Sequence, residues 1–75
     1  MDAIKVEAKS LGCLARMNCA DRVPIKDKKL MELIREYSTA QMFIYMKEWL
    51  CGWDEINIEY ANARLETIKL LSENN

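Results

Sequence analysis

The cysteines are the most reactive residues of this sequence, and they lie at Cys13, Cys19 and Cys51. Thiolate metal sites take about four ligands, usually from Cys-x-x-Cys pairs or completed by histidine. Cys13 and Cys19 are six residues apart, and the chain contains no histidine. The sequence therefore predicts no metal and no cofactor, and the thiols are interpreted as small residues in helix interfaces.

The other reactive groups form no catalytic arrangement. A nucleophilic cysteine needs a base or a positive charge beside it, and Cys51 has only Lys47 one helical turn earlier. Glu55 and Glu59 are one turn apart, but both fall on a narrow polar strip rather than in a cleft that would separate their pKa values. With two glycines, the chain has no glycine-rich phosphate loop. We therefore predict that this protein is not an enzyme and takes no small-molecule substrate.

Basic residues form two patches that are candidates for contacting nucleic acid. Four of them cluster around the start of the second predicted helix and three line the first, namely Arg22, Lys26, Lys28 and Lys29, and Lys5, Lys9 and Arg16. Two adjacent patches of this kind could contact phosphates. Asp21 and Asp27 interrupt the cluster, which also has no stacking aromatic residue, so ordinary solvated helix surface is the competing interpretation. Nucleic-acid association is kept as the alternative function.

Length and composition predict one small folded domain covering residues 1–75. A chain of 75 residues with 51% hydrophobic and 31% charged residues is globular rather than disordered. A domain this small buries only about 60% of the surface that its unfolded chain exposes, so dense helix packing or a partner subunit must add stability. The net charge of −1 provides no overall attraction to nucleic acid or anionic lipid.

The sequence favours a cytoplasmic protein that does not enter a membrane. Its longest uncharged run, 37–46, has ten residues, whereas a membrane span needs about 20. Acidic Asp2 with no continuous apolar segment behind it does not resemble a signal peptide. An odd number of cysteines without such a leader predicts reduced thiols.

The first helix is predicted over residues 3–17, because Ile4, Ala8, Leu11 and Ala15 recur at the helical period. Gly12 lies inside this helix and costs about 1 kcal/mol relative to alanine. It is either a tolerated defect or the point where a large ring, such as a tryptophan, approaches the backbone. A connector with the only proline follows.

The second helix is predicted over residues 27–51, with Asp27 as its N-cap. Its apolar face turns by about 160° between Tyr37 and Met42. Ser38 and Gln41 have the spacing of a capping box, which favours a break near Ser38 and four helices in all. No glycine or proline marks such a break, so we favour one continuous helix with a kink.

The third helix is predicted over residues 54–72, with Gly52 ending the helix before it and Asp54 as its N-cap. This helix displays two apolar faces and only a narrow polar strip. Residues 73–75 are expected to form a frayed tail. The fold class is therefore all-α, a small three-helix bundle.

The aromatic and methionine-rich segment 37–53 suggests how the protein works. A monomeric three-helix bundle needs one apolar face per helix, yet two segments of this chain carry two. We predict a non-enzymatic protein–protein interaction or self-associating protein, possessing an interface at Met42, Met46, Trp49 and Trp53 and binding a protein partner or a second copy. The competing interpretation is that these residues form a dense core.

Overall fold

The computed structural model describes residues 2–73, and its regular structure is entirely helical. Helix α1 covers Ala3–Met17, a single 3₁₀ turn covers Pro24–Lys26, α2 covers Lys28–Ile34 and α3 covers Thr39–Glu73. The all-α, three-helix architecture predicted from the sequence is confirmed. Of the predicted tail, Glu73 is the last residue of α3, whereas residues 74 and 75 lie outside the described range.

Helix α1 has the predicted bounds and well-defined ends. Asp2 caps its N-terminus, because Oδ1 accepts hydrogen bonds from the amides of Ile4 and Lys5 at 2.9 and 3.3 Å. At the C-terminus, Cys19 has a left-handed φ of 61°. The Ala20 amide donates to the Ala15 carbonyl at 2.8 Å, and the Cys19 amide donates to Arg16 at 3.0 Å. These two bonds form a Schellman motif that turns the chain into the connector.

The break between α2 and α3 contradicts the continuous second helix that the sequence favoured. Helix α2 ends at Ile34, and Ser38 begins α3 by accepting a hydrogen bond at Oγ from the Gln41 amide at 3.3 Å. The capping box and the turn of the apolar face therefore marked a real helix boundary. The physical reason is that one straight helix cannot bury two opposed faces against the same small core, so the chain must turn between them.

Helix α3 runs through Gly52 without interruption, so the predicted helix end at this residue is wrong. The helix has 35 residues, and no described glycine has a positive φ. Gly52 is buried in the middle of α3 against α1. Asp54, predicted to cap a new helix, instead forms an ion pair with Arg22 in the connector.

Helices α1 and α3 cross with their backbones in contact, and a glycine on each makes this contact possible. A Cβ atom on Gly12 would overlap the carbonyl oxygen of Trp49 and lie 2.7 Å from its carbonyl carbon. A Cβ atom on Gly52 would overlap the carbonyl oxygen of Lys9 and lie 3.1 Å from the amide nitrogen of Cys13. Gly12 therefore admits the backbone of a tryptophan, where the sequence suggested its ring.

The core is small and is centred on Trp49, which is 1% exposed. The other buried apolar residues come from all three helices and are Ala8, Leu30, Ile34 and Tyr45. The indole Nε1 of Trp49 donates to Oδ2 of Asp27 at 2.8 Å. The other oxygen of Asp27 caps α2 by accepting from the amides of Lys29 and Leu30 at 3.0 and 3.2 Å. Asp27 therefore starts α2 and ties it to the central tryptophan.

The C-terminal part of α3 projects beyond this core. Every residue from 58 to 73 is exposed. At 1.5 Å per residue, 35 residues span about 52 Å, close to the 57 Å longest dimension of the molecule. We call residues 58–73 the arm.

Substituting alanine for Gly12 or Gly52 is expected to destabilise the protein, although alanine is the better helix former by about 1 kcal/mol. The added methyl group must push the two helices apart, so we expect a loss of about 2 kcal/mol or more in the free energy of unfolding. Urea denaturation measures this loss. Ser10→Ala, at an exposed position of α1, is the control and should not destabilise; a stabilised Gly12→Ala protein would contradict the close crossing.

Removing the Asp27 side chain is expected to lower the free energy of unfolding by more than removing an ordinary helix cap does. Asp27→Ala loses a cap worth about 1 kcal/mol and leaves the buried Trp49 indole without an acceptor, which costs a further 1–3 kcal/mol or so. Asp2→Ala is the matched control, since it removes the cap of α1 and only a weak 3.4 Å bond from the Tyr45 hydroxyl. Equal losses in thermal or urea denaturation would contradict the double role of Asp27.

Candidate protein-binding surface

The residues predicted as an interface pack within this chain. Trp49 is the centre of the core, so it is not available to a partner, and the dense-core interpretation holds for it. Met42, Met46 and Trp53 are half-buried and pack against the same core. The sequence could not assign them, because the face they share points to the core only once the chain has turned at Ser38.

Trp53 holds the connector against α3. Its Nε1 donates to the carbonyl oxygen of Ala20 at 3.0 Å. The guanidinium of Arg16 lies over the Trp53 ring at 5.5 Å and over the Tyr60 ring at 4.9 Å. Arg16 also donates from Nε to Oδ1 of Asn57 at 2.9 Å. Trp53 and Arg16 therefore fasten the C-terminal end of α1 to the base of the arm.

The structure does not gather the seven basic candidates into one uncompensated patch. Arg22 donates to both carboxylate oxygens of Asp54 at 2.8 Å, which holds the pKa of that carboxyl below its usual range. Lys9 pairs with Glu55 at 2.9 Å, and the hydrogen bond to this carboxylate raises the pKa of the lysine. Lys26 lies 3.8 Å from Asp21. Together with Arg16, these residues are occupied within the chain.

Lys5, Lys28 and Lys29 remain as exposed charges that pair with no carboxylate of residues 2–73. Lys28 and Lys29 are neighbours in the first turn of α2, whereas Lys5 lies in the first half of α1. Nucleic-acid association through the full set stays a prediction, and it would have to rely on these three.

The arm carries a run of exposed apolar side chains and lies outside the interface predicted from the sequence. Five aliphatic side chains along it are each more than half exposed, namely Ile58, Leu65, Ile68, Leu70 and Leu71. The sequence does predict two apolar faces on this part of the chain. Because a helix end was expected at Gly52, these faces did not indicate an exposed surface, since a separate third helix could have folded back onto the bundle.

A groove of about 470 Å³ lies between α1, the connector and α2. Its apolar lining comes from Leu11, Leu14, Ala15, Ala20, Val23 and Trp49. The lining also includes three lysines from the 3₁₀ turn and the start of α2, and they are Lys26, Lys28 and Lys29. The groove is therefore apolar with a basic rim, and Leu14 within it is half exposed.

The thiols are dispersed. Cys13 is half-buried at the α1–α3 crossing, and burial raises its pKa. Cys19 and Cys51 are exposed, and all three cysteines are free. Residues 2–73 contain no cluster of three or more side chains that could ligate a metal. In the same range, no helix combines the length and the apolar character needed to cross a bilayer.

These features define a small all-α protein whose central bundle carries a projecting, apolar helical arm. Comparison with protein-family models, with curated proteins and with solved structures gives no match.

Binding to duplex DNA is expected to be weak and to involve few phosphates. Three available lysines give a slope of log K against log salt concentration of at most about 3, whereas a site using all seven basic residues would give about 6. Fluorescence titration of mixed-sequence duplex DNA at several salt concentrations measures this slope. A value near that larger slope would support the nucleic-acid alternative against the charge pairing described above.

Proposed function

We propose that this protein is a non-enzymatic protein–protein interaction module that self-associates through its arm. The observation that carries the proposal is the run of exposed aliphatic residues on residues 58–73, none of which belongs to the core or packs against it. The three free cysteines suit a reducing compartment such as the cytoplasm.

The arm needs a partner for an energetic reason. Burying a leucine or isoleucine side chain is worth about 1.5–3 kcal/mol, and the arm leaves five of these more than half exposed. Four of the five, Ile58, Leu65, Ile68 and Leu71, lie side by side along the helix, and an apolar surface of this kind on a small protein marks an association site. A helix is the simplest partner, since Ile58, Leu65 and Ile68, with Ala61 between them, have the 3–4–3 spacing of a helix-pairing face.

A second copy is the partner that the chain itself supports. The bundle of this small domain cannot extend to cover its own arm, because α1 ends beside Asn57 and Tyr60. A second molecule supplies both a matching arm and an apolar groove, so association can bury apolar surface from both copies at once. Small domains often gain in this way the stability that their own core lacks.

Polar substitutions on the arm are expected to prevent association without unfolding the bundle. Leu65→Ser with Leu70→Ser changes two residues that are 63% and 62% exposed, so the core is untouched. Light scattering after size exclusion should give a dimer for the natural chain at about 100 μM, a typical range for a weak self-interaction. The arm variant should give a monomer at the same concentration.

Val6→Ser with Phe43→Ser is the matched control, because these residues are also exposed but lie outside the arm. This variant should associate like the natural chain, and circular dichroism should give the same helix content for all three proteins. A natural chain that is monomeric at this concentration would exclude self-association and point to a different protein as partner. An arm variant that still dimerises would exclude the arm.

A further inference from the structure

The groove between α1, the connector and α2 has the chemistry of a receptor for an apolar segment that carries carboxylates. Its lining is aliphatic with the edge of Trp49, and basic side chains border it. Of the two acidic residues in it, Asp27 is bound to Trp49 and to the first turn of α2, and Asp21 lies beside Lys26. Lys28 and Lys29 remain to meet an incoming negative charge.

The tip of the arm has the complementary chemistry. Glu66, Leu70 and Glu73 follow one another at spacings of four and three residues, so they share one face of α3. The same three residues, with Lys69, border a shallow depression on that face. Leu71 follows Leu70 in the chain and is 63% exposed, but it lies about 100° further round the helix. The tip therefore presents one leucine, Leu70, between two glutamates.

We infer that the groove of each copy binds the arm tip of a second copy, with Leu70 in the apolar lining and Glu66 and Glu73 against Lys28 and Lys29. This inference rests on the proposed self-association and names its second contact surface. The contact depends on the sign of the charges, since the lysines of the groove would repel a basic helix.

The position of the groove allows each copy to bind the arm tip of the other at the same time. Ala20 and Asp21 line the groove, and Ala20 is bonded to Trp53, just before the base of the arm. The 16 residues of the arm extend about 24 Å from that base. When two arms lie antiparallel, the tip of each lies at the base of the other, beside the end of the groove that Ala20 and Asp21 line. The result is a closed two-fold dimer rather than an open chain of copies.

Exchanging the charges tests this contact. One variant carries Lys28→Glu and Lys29→Glu, and the other carries Glu66→Lys and Glu73→Lys. Alone, each would place like charges against each other in both contacts, so we expect its self-dissociation constant to rise by about tenfold or more. An equimolar mixture of the two has opposite charges in both contacts, and it should form a heterodimer within about threefold of the natural affinity.

The variants should remain folded. Glutamate in the first turn of α2 and lysine at position 73, in the last turn of α3, both suit the helix dipole. Lys5→Glu with Lys47→Glu is the matched control for the groove variant, because it makes the same change of net charge at exposed lysines outside the groove. It should associate like the natural chain. Light scattering and analytical ultracentrifugation give the dissociation constants.

The outcomes separate this inference from the proposed function. Charge variants that self-associate weakly alone and regain near-natural affinity when mixed support the binding of each arm tip in the groove of the other copy. Variants that associate like the natural chain, while the arm variant Leu65→Ser with Leu70→Ser is monomeric, overturn the groove contact and leave the arm as the interaction element. Failure to recover on mixing, or equal weakening of the control, also overturns it. A monomeric natural chain overturns self-association itself.

Discussion

The rest of the structure depends on the contact between the backbones of α1 and α3. Gly12 lies against the main chain of Trp49, and Gly52 lies against the main chain of Lys9, so no side chain separates the two helices at their crossing. This contact fixes where α1 sits along α3. It also explains why α3 cannot end at Gly52, since the glycine is needed within the helix. The C-terminal end of α1 lies beside Asn57 and Tyr60. The residues of α3 that follow Tyr60 are all exposed.

A second set of contacts joins the remaining parts to this crossing. Asp27 caps α2 with one carboxylate oxygen and accepts the Trp49 indole N–H with the other, so the start of α2 is held at the centre of the core. Trp53 and Arg22 hold the connector against α3 through Ala20 and Asp54. Of these contacts, the bond from Trp49 matters most for stability, because its buried indole N–H would otherwise have no acceptor. The groove is a consequence of them, since the connector and α2 are held beside α1 without covering its outer apolar residues.

The proposed function follows from this division between a closed core and an open arm. The tryptophans, which by composition resemble interface anchors, are occupied in holding the bundle together. The aliphatic residues of the arm are of types that usually form a core, but here their side chains are exposed. Exposure, rather than residue type, distinguishes an interaction surface from a core in a protein of this size.

The sequence by itself determined the helical class, the bounds of α1, the cap at Asp27 and the two apolar faces of the last helix, because each depends on local hydrogen bonding or on periodicity. At Ser38 the capping box favoured a helix break, whereas the absence of glycine and proline favoured a continuous helix. At Gly52 the sequence predicted a helix end, but a glycine can either end a helix or allow another backbone to pack against it. Which of these a glycine does depends on what packs against it. Only the tertiary structure decided that Trp49 is core, that Arg22 meets Asp54 and that residues 58–73 project, since these facts arise from contacts between residues far apart in the chain.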